Sequence, residues 1–276
     1  MKLLYTADKQ RYKRMITDEL RESFMLEELF QPNELTLVYT DVDRAIVGSA
    51  VPESSELTLP THKELAADYF CERRELGIIN IGGEGSVKVD GDEYKMCNRD
   101  SLYVARGCKD ISFSSANADQ AAKFYLVSYP AHRVTKTTHV PKADAKKMEL
   151  GSQQDSNERT IYQTIRPGIV DSCQLVMGIT ELESGSVWNT KPPHSHKRRT
   201  EIYMYFDLEA DNRVFHIMGE PQETRSLVVG NGDVVLSPSW SIHSGAGTAN
   251  YTFIWAMGGE NQEFDDMDHL TLDQIR

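Results

Sequence analysis

His194-Ser195-His196, Glu201 and His243 are the residues whose types and spacing most suit chemistry. On an extended strand, positions i and i+2 face the same side, so both imidazoles of the His-x-His pair can point into one interior. Glu201 follows after four intervening residues, and His243 stands behind a Gly232-Asp233-Val234-Val235 turn. Three imidazoles and a carboxylate form a metal shell that suits Zn, Mn, Fe or Ni, and the absence of a thiolate argues against a closed structural zinc site. With four protein ligands, a five- or six-coordinate cation keeps positions for substrate oxygens. The constellation reads as a working metal site.

The elements that must position these residues are strands. Lys191-Pro192-Pro193 stiffens the approach to the histidines, Lys197 to Thr200 reads as a turn, and Glu201 opens the next strand. Tyr203 and Tyr205 share the face of Glu201, while Ile202, Met204 and Phe206 face the other way. Further strand patterns run over 35–39, 76–81, 87–89, 102–104, 123–127, 174–177, 214–218, 234–236 and 251–257. Gly82-Gly83, Asp90-Gly91 and Asn231-Gly232 read as hairpin turns between them. One helix is expected early, begun at Thr17-Asp18-Glu19 with Ile16, Leu20, Phe24 and Leu29 on one stripe. The expected class is mostly β, a barrel or sandwich, with a short N-terminal helical segment.

Between about Arg133 and Asn157 the chain turns polar, which sets a boundary between two halves, 1–140 and 141–276. The halves resemble each other. Arg73-Arg74-Glu75-Leu76 parallels Arg198-Arg199-Thr200-Glu201, and an offset of 133 carries Asp100 to Asp233 and Asp110 to His243. Counting back from Glu75 by the histidine spacing reaches Asp68 and Phe70, so only the second half carries the metal shell.

Composition excludes several classes. Lys+Arg 30 against Asp+Glu 42 gives a net charge of −12, which disfavours nucleic acid and anionic membrane surfaces. No apolar run approaches the roughly 18 residues of a membrane span, and the first residues are too short an apolar run for a signal peptide. Cys71, Cys97, Cys108 and Cys173 are scattered, as for reduced thiols, and the expected location is cytoplasmic.

Gly185…His194-x-His196-x4-Glu201 and Gly232-x5-Pro238-x4-His243 resemble the two signature motifs of the cupin superfamily. Trp240 and Gly247 replace the glycine and asparagine usual in the second motif. A closer resemblance runs through residues 72–83, 186–190, 219–225, 237–245, 253–257 and 264–269, stretches similar to the 5-keto-4-deoxyuronate isomerase family of pectin breakdown. That resemblance covers essentially the whole chain. It implies two cupin-type β-barrels in one chain and a homohexamer. It also implies one Zn2+ per subunit on His194, His196, Glu201 and His243. The implied substrate is the small linear uronate 5-dehydro-4-deoxy-D-glucuronate, isomerised to 3-deoxy-D-glycero-2,5-hexodiulosonate.

Such an aldose–ketose isomerisation needs an electrophile for the carbonyl and a base for the carbon-bound proton. Tyr203 and Tyr205 have the right parity for the interior, but the spacing does not single out the base. Arg198-Arg199 could clamp a carboxylate, yet Arg73-Arg74 in the half without ligands favours a structural ion pair. Arg166, Arg213 and Arg225 stay open for that role. His216 reads as a hydrogen-bonded strand histidine, and His62, His132, His139 and His269 as solvated. Trp240, Tyr251, Phe253, Trp255 and Met257 could line a sugar pocket, although the alternation of Tyr251, Phe253 and Trp255 also suits a core. Two other classes share the ligand set, an iron-dependent cupin dioxygenase and a non-catalytic sugar-binding cupin. Oxygen dependence separates the first, and the complete ligand set weakens the second.

Overall fold

A computed structural model describes all 276 residues. The protein is mostly β. Its one α-helix, Thr17–Phe24, starts where Glu19 accepts a hydrogen bond from the Ile16 backbone N–H at 3.0 Å, with Asp18 and Glu19 favourably placed in the first turn. Leu20 and Phe24 are buried, but Ile16 is exposed. A short strand, Met25–Leu26, takes over at once, so Leu29 lies beyond the helical stripe. No helix is long and apolar enough to cross a membrane.

Two compact units form. The first contains Met1–Leu4, Leu29–Ala145 and Gln163–Met177, and the second contains Tyr5–Glu28, Lys146–Tyr162 and Gly178–Arg276. In the first, a seven-stranded and a four-stranded sheet contribute to one apolar cluster that includes Leu59, Leu76, Ile78, Val87, Ile111, Phe113 and Phe124. The expected strands are present, with the 174–177 pattern starting later, at Val176–Leu182.

The turn signals sort by what they join. Asp90-Gly91 is a two-residue hairpin, with both residues at positive φ (49° and 96°) and Val89 paired to Asp92. Gly82-Gly83 and Asn231-Gly232 instead carry the chain from one sheet to another. Glycine at 83 serves close approach, since a Cβ there would stand 1.9 Å from the Gln120 carbonyl oxygen.

The strand orders repeat. Arg74–Asn80 lies between Phe124–Pro130 and Ser101–Val104, just as Arg199–Phe206 lies between Thr252–Gly259 and Val234–Ser237. The ladders also refine the alignment of the halves by one residue. Leu76 pairs with Val104 as Glu201 pairs with Ser237. The counterpart of Glu201 is therefore Leu76, not Glu75. A one-residue slip along a strand exchanges its faces. Glu75 indeed points away from the apolar cluster, accepting hydrogen bonds from the Cys173, Gln174 and Leu175 amides and the Tyr103 hydroxyl. An apolar residue thus stands in the first unit where a ligand type stands in the second.

Candidate metal centre

In the second unit, the Trp188–Ser195 strand pairs with Ile242–Gly247 and puts His194 directly opposite His243. The pairing shifts register between Asn189 and His194, so a bulged strand, not a regular one, delivers the His-x-His pair. Glu201 comes from the neighbouring sheet, on the central strand Arg199–Phe206. His196, Glu201 and His243 are buried.

The four side chains converge. His194 Nε2 lies 3.1 Å from His196 Nε2 and 3.0 Å from His243 Nε2. Glu201 Oε2 lies 3.1 Å from His196 Nε2 and 2.8 Å from His243 Nε2. The four potential ligand atoms all fall within 4.8 Å of one another. Atoms bound at about 2.0–2.2 Å to one cation stand roughly 3 Å apart when adjacent, so these separations suit a shared metal. Protonation suits it as well. Burial lowers the pKa of His194 to about 2, and burial lowers that of His196 despite the neighbouring carboxylate. Burial raises the Glu201 pKa, but His243 and His196 outweigh it and hold the carboxyl well below its usual range. Neutral imidazoles and an ionised carboxylate are the forms that bind metals. The group could hold a metal ion.

The cluster borders a cavity of about 320 Å³. His194, His196, Glu201, Tyr203, Phe253, Trp255 and Met257 line it, together with Arg159 and Lys191 and with Phe264, Asp265, Met267 and His269 from the C-terminal segment. The volume lies at the lower end of the roughly 300–1,000 Å³ of small-molecule sites.

Comparison with known proteins places this architecture. Residues 25–272 match the model of the KduI/IolB family. The chain belongs to the KduI/IolB family. Among KduI/IolB relatives, the 4-deoxy-L-threo-5-hexosulose-uronate ketol-isomerase of Lachnoclostridium phytofermentans is 52% identical over 276 residues, the whole of both chains. That of Formosa agariphila is 52% identical over 272 residues, covering 99% of this chain and 97% of its own. Among solved structures, an IolB-like protein from Salmonella typhimurium LT2 superposes with a TM-score of 0.67, at 13% identity, over 87% of this chain and 94% of its own. That likeness carries the fold alone. The fold class is mostly β and cupin-like, as expected from the motifs.

The structure sorts the remaining candidates. Arg198 and Arg199 are structural: Arg198 pairs with Asp266 and Asp268, and Arg199 donates to the Glu263 and Asp266 carbonyls. Arg166, Arg213 and Arg225 do not line the cavity. Arg159 does, a residue the sequence reading passed over. One of its guanidinium nitrogens donates to the Asn157 carbonyl at 2.8 Å, and its Nε is buried without a hydrogen-bond partner. Its only signal in sequence is a lone charge in a strand pattern. His269, expected to be solvated, sits across the strand pair from His194 and lines the cavity. Tyr203 and Tyr205 share a face but differ in depth, for Tyr205 bonds His216 Nδ1 at 2.7 Å and stays off the cavity wall. Phe253, Trp255 and Met257 line the cavity, Tyr251 donates to the Gly245 carbonyl, and Trp240 packs on Tyr12 and Phe24 instead.

Proposed function

We propose that this chain is a metal-dependent aldose–ketose isomerase converting 5-dehydro-4-deoxy-D-glucuronate to 3-deoxy-D-glycero-2,5-hexodiulosonate in polyuronate breakdown. The observation that carries the reading is the buried three-histidine, one-glutamate cluster on the wall of a polar-tipped cavity, in a chain 52% identical end to end with a uronate ketol-isomerase. His194, His196, Glu201 and His243 are the residues that hold the ion, one Zn2+ per subunit. Bound there, a divalent cation supplies a Lewis acid that polarises a carbonyl and keeps two neighbouring substrate oxygens in one plane.

The chain's own residues supply the rest. Arg159, with an unspent buried N–H and Lys191 beside the same cavity, binds the substrate carboxylate. Phe253, Trp255, Met257 and Phe264 give an apolar wall that keeps water from the reacting carbons. Two groups outside the ligand set can accept the carbon-bound proton, the Asp265 carboxylate and the His269 imidazole, and the base is one of these. The two units, which follow the halves 1–140 and 141–276 except that 5–28 joins the second and 163–177 the first, are two cupin-type barrels, a reading supported by the repeated strand order, and the first is an assembly partner without ligands. The working form is a cytoplasmic homohexamer.

The test is anaerobic incubation of metal-quantified protein with the unsaturated uronate, following the aldehyde by proton NMR. Loss of aldehyde with appearance of the 2,5-diketo product, abolished by a chelator and restored by zinc, is the expected result. Turnover only with oxygen and iron would move the protein to the oxygenase class. Silence under both conditions would leave a binding protein.

A further inference from the structure

Tyr203 is the buried phenol of the second unit that reaches the cavity wall. It follows Glu201 by two residues on the same strand face, with its ring 5.4 Å from that of His243 and 4.8 Å from that of Phe253. Its neighbours have spent their hydroxyls elsewhere: Tyr205 on His216, Tyr251 on the Gly245 carbonyl. Tyr203 differs. Its oxygen lies 3.1 Å from Thr190 Oγ1, and that oxygen takes a hydrogen bond from Asn189 Nδ2 at 2.7 Å. With the carboxamide donating into Thr190 Oγ1, the threonine proton is available to the phenol oxygen. That donor on the phenol oxygen leaves the phenol proton for an acceptor in the cavity that Tyr203 lines.

The arrangement is built at a special backbone position. Thr190 has φ of +54°, a left-handed conformation that a β-branched residue adopts only under constraint. The buried Ser244 hydroxyl lies 3.0 Å from both the Asn189 and Thr190 carbonyl oxygens and fastens the segment. Constrained backbone of this kind collects where side chains must be aimed. With its oxygen taking the threonine proton, the phenol is placed as a donor.

Resting on the isomerase reading, we propose that Tyr203 is a catalytic residue: its hydroxyl donates a hydrogen bond to the substrate oxygen that gains charge as the carbonyl becomes an enediol, and Thr190 and Asn189 are its positioning residues. The bookkeeping closes within the substrate. As a proton leaves the hydroxyl-bearing carbon for the base, its bonding pair forms the carbon–carbon double bond and the carbonyl pair moves onto the oxygen that Tyr203 faces. The base returns that proton to the former carbonyl carbon, and the proton of the neighbouring hydroxyl passes to the oxygen that Tyr203 faces, giving a ketose of the same composition. The phenol keeps its proton throughout.

The experiment compares wild type with Tyr203→Phe, Thr190→Val and Thr190→Ser, all metal-quantified, on the unsaturated uronate. Tyr203→Phe is expected to keep its metal stoichiometry and lose about 10²–10³ in kcat, as for removal of one donor to a developing oxyanion, with KM little changed. Thr190→Val should lower kcat without raising KM, and Thr190→Ser, which keeps the hydroxyl, should recover most of it. A Tyr203→Phe enzyme with wild-type kcat overturns the proposal and leaves the isomerase reading intact. An inactive wild type overturns both. If Tyr203→Phe fails to fold or loses its metal, the valine and serine pair decides: equal kcat in the two overturns the proposal.

Discussion

At the scale of single residues, the centre is governed by how burial acts on opposite charges. Burial alone pushes the Glu201 pKa up. Two imidazole nitrogens within 3.1 Å of its oxygen reverse that balance. The same burial keeps His194 and His196 neutral, so a cation is the missing charge that would satisfy all four groups. We expect His196→Ala to weaken metal binding about 100-fold or more, since even outer partners of a metal ligand contribute 10- to 100-fold. Activity should fall with it while the circular dichroism of the fold is retained. Metal analysis after dialysis against a weak chelator checks this, and full activity with stoichiometric loss of metal would end the metal argument. Behind the ligands, Tyr205 bonds His216 Nδ1, with burial lowering the His216 pKa to about 3. That pair is a neutral polar filler and stays off the cavity wall.

At the scale of elements, the site depends on two irregular stretches. One is the bulged Trp188–Ser195 strand, which delivers both histidines and Thr190. The other is the segment after Gly259, which brings Phe264, Asp265, Met267 and His269 to the cavity. Little regular structure holds that second stretch. Arg198 fastens it through Asp266 and Asp268, Asn261 donates to Asp266, and the buried Arg199 bonds its carbonyls. The arginine pair is thus a clasp for one cavity wall. Arg198→Ala should raise KM about three- to fivefold with kcat nearly unchanged, because partly exposed ion pairs contribute modestly and the chemistry is untouched. Limited proteolysis should cut the 260–267 stretch faster in the variant. An equal cleavage rate and an unchanged KM would show that the segment is held without it.

At the scale of the whole molecule, one strand order serves two purposes. In the first unit the interior is filled by Leu59, Leu76, Ile111 and their neighbours. In the second, Glu201 occupies the place of Leu76, and a cavity opens beside it and His243. A filled interior contributes stability through close packing, whereas an interior of ligand types gives part of that up for chemistry. Leu76→Ala should therefore destabilise the protein by about 2–5 kcal/mol, the range for large-to-small core changes, and leave metal stoichiometry at wild-type level. Denaturant unfolding and metal analysis on one preparation check both parts. Loss of metal from that variant would mean that the packed unit supports the ligands directly.

By itself the sequence determined the strand-rich class, the ligand types and the face that Glu201, Tyr203 and Tyr205 share, because these follow from side-chain alternation and from spacing within one strand. It also carried the family through runs of residues along the entire chain. Only the tertiary structure decided which residues surround the cluster. Arg159 and His269 reach the cavity through sheet neighbours and a C-terminal segment far from them in sequence, where no local period marks them. It also decided between Tyr203 and Tyr205, which alternation treats alike, because depth beside the cavity depends on what packs against each ring. The choice of Leu76 over Glu75 as the counterpart of Glu201 likewise came from hydrogen-bonded ladders, since a slip of one residue leaves the composition of a strand unchanged and inverts its faces.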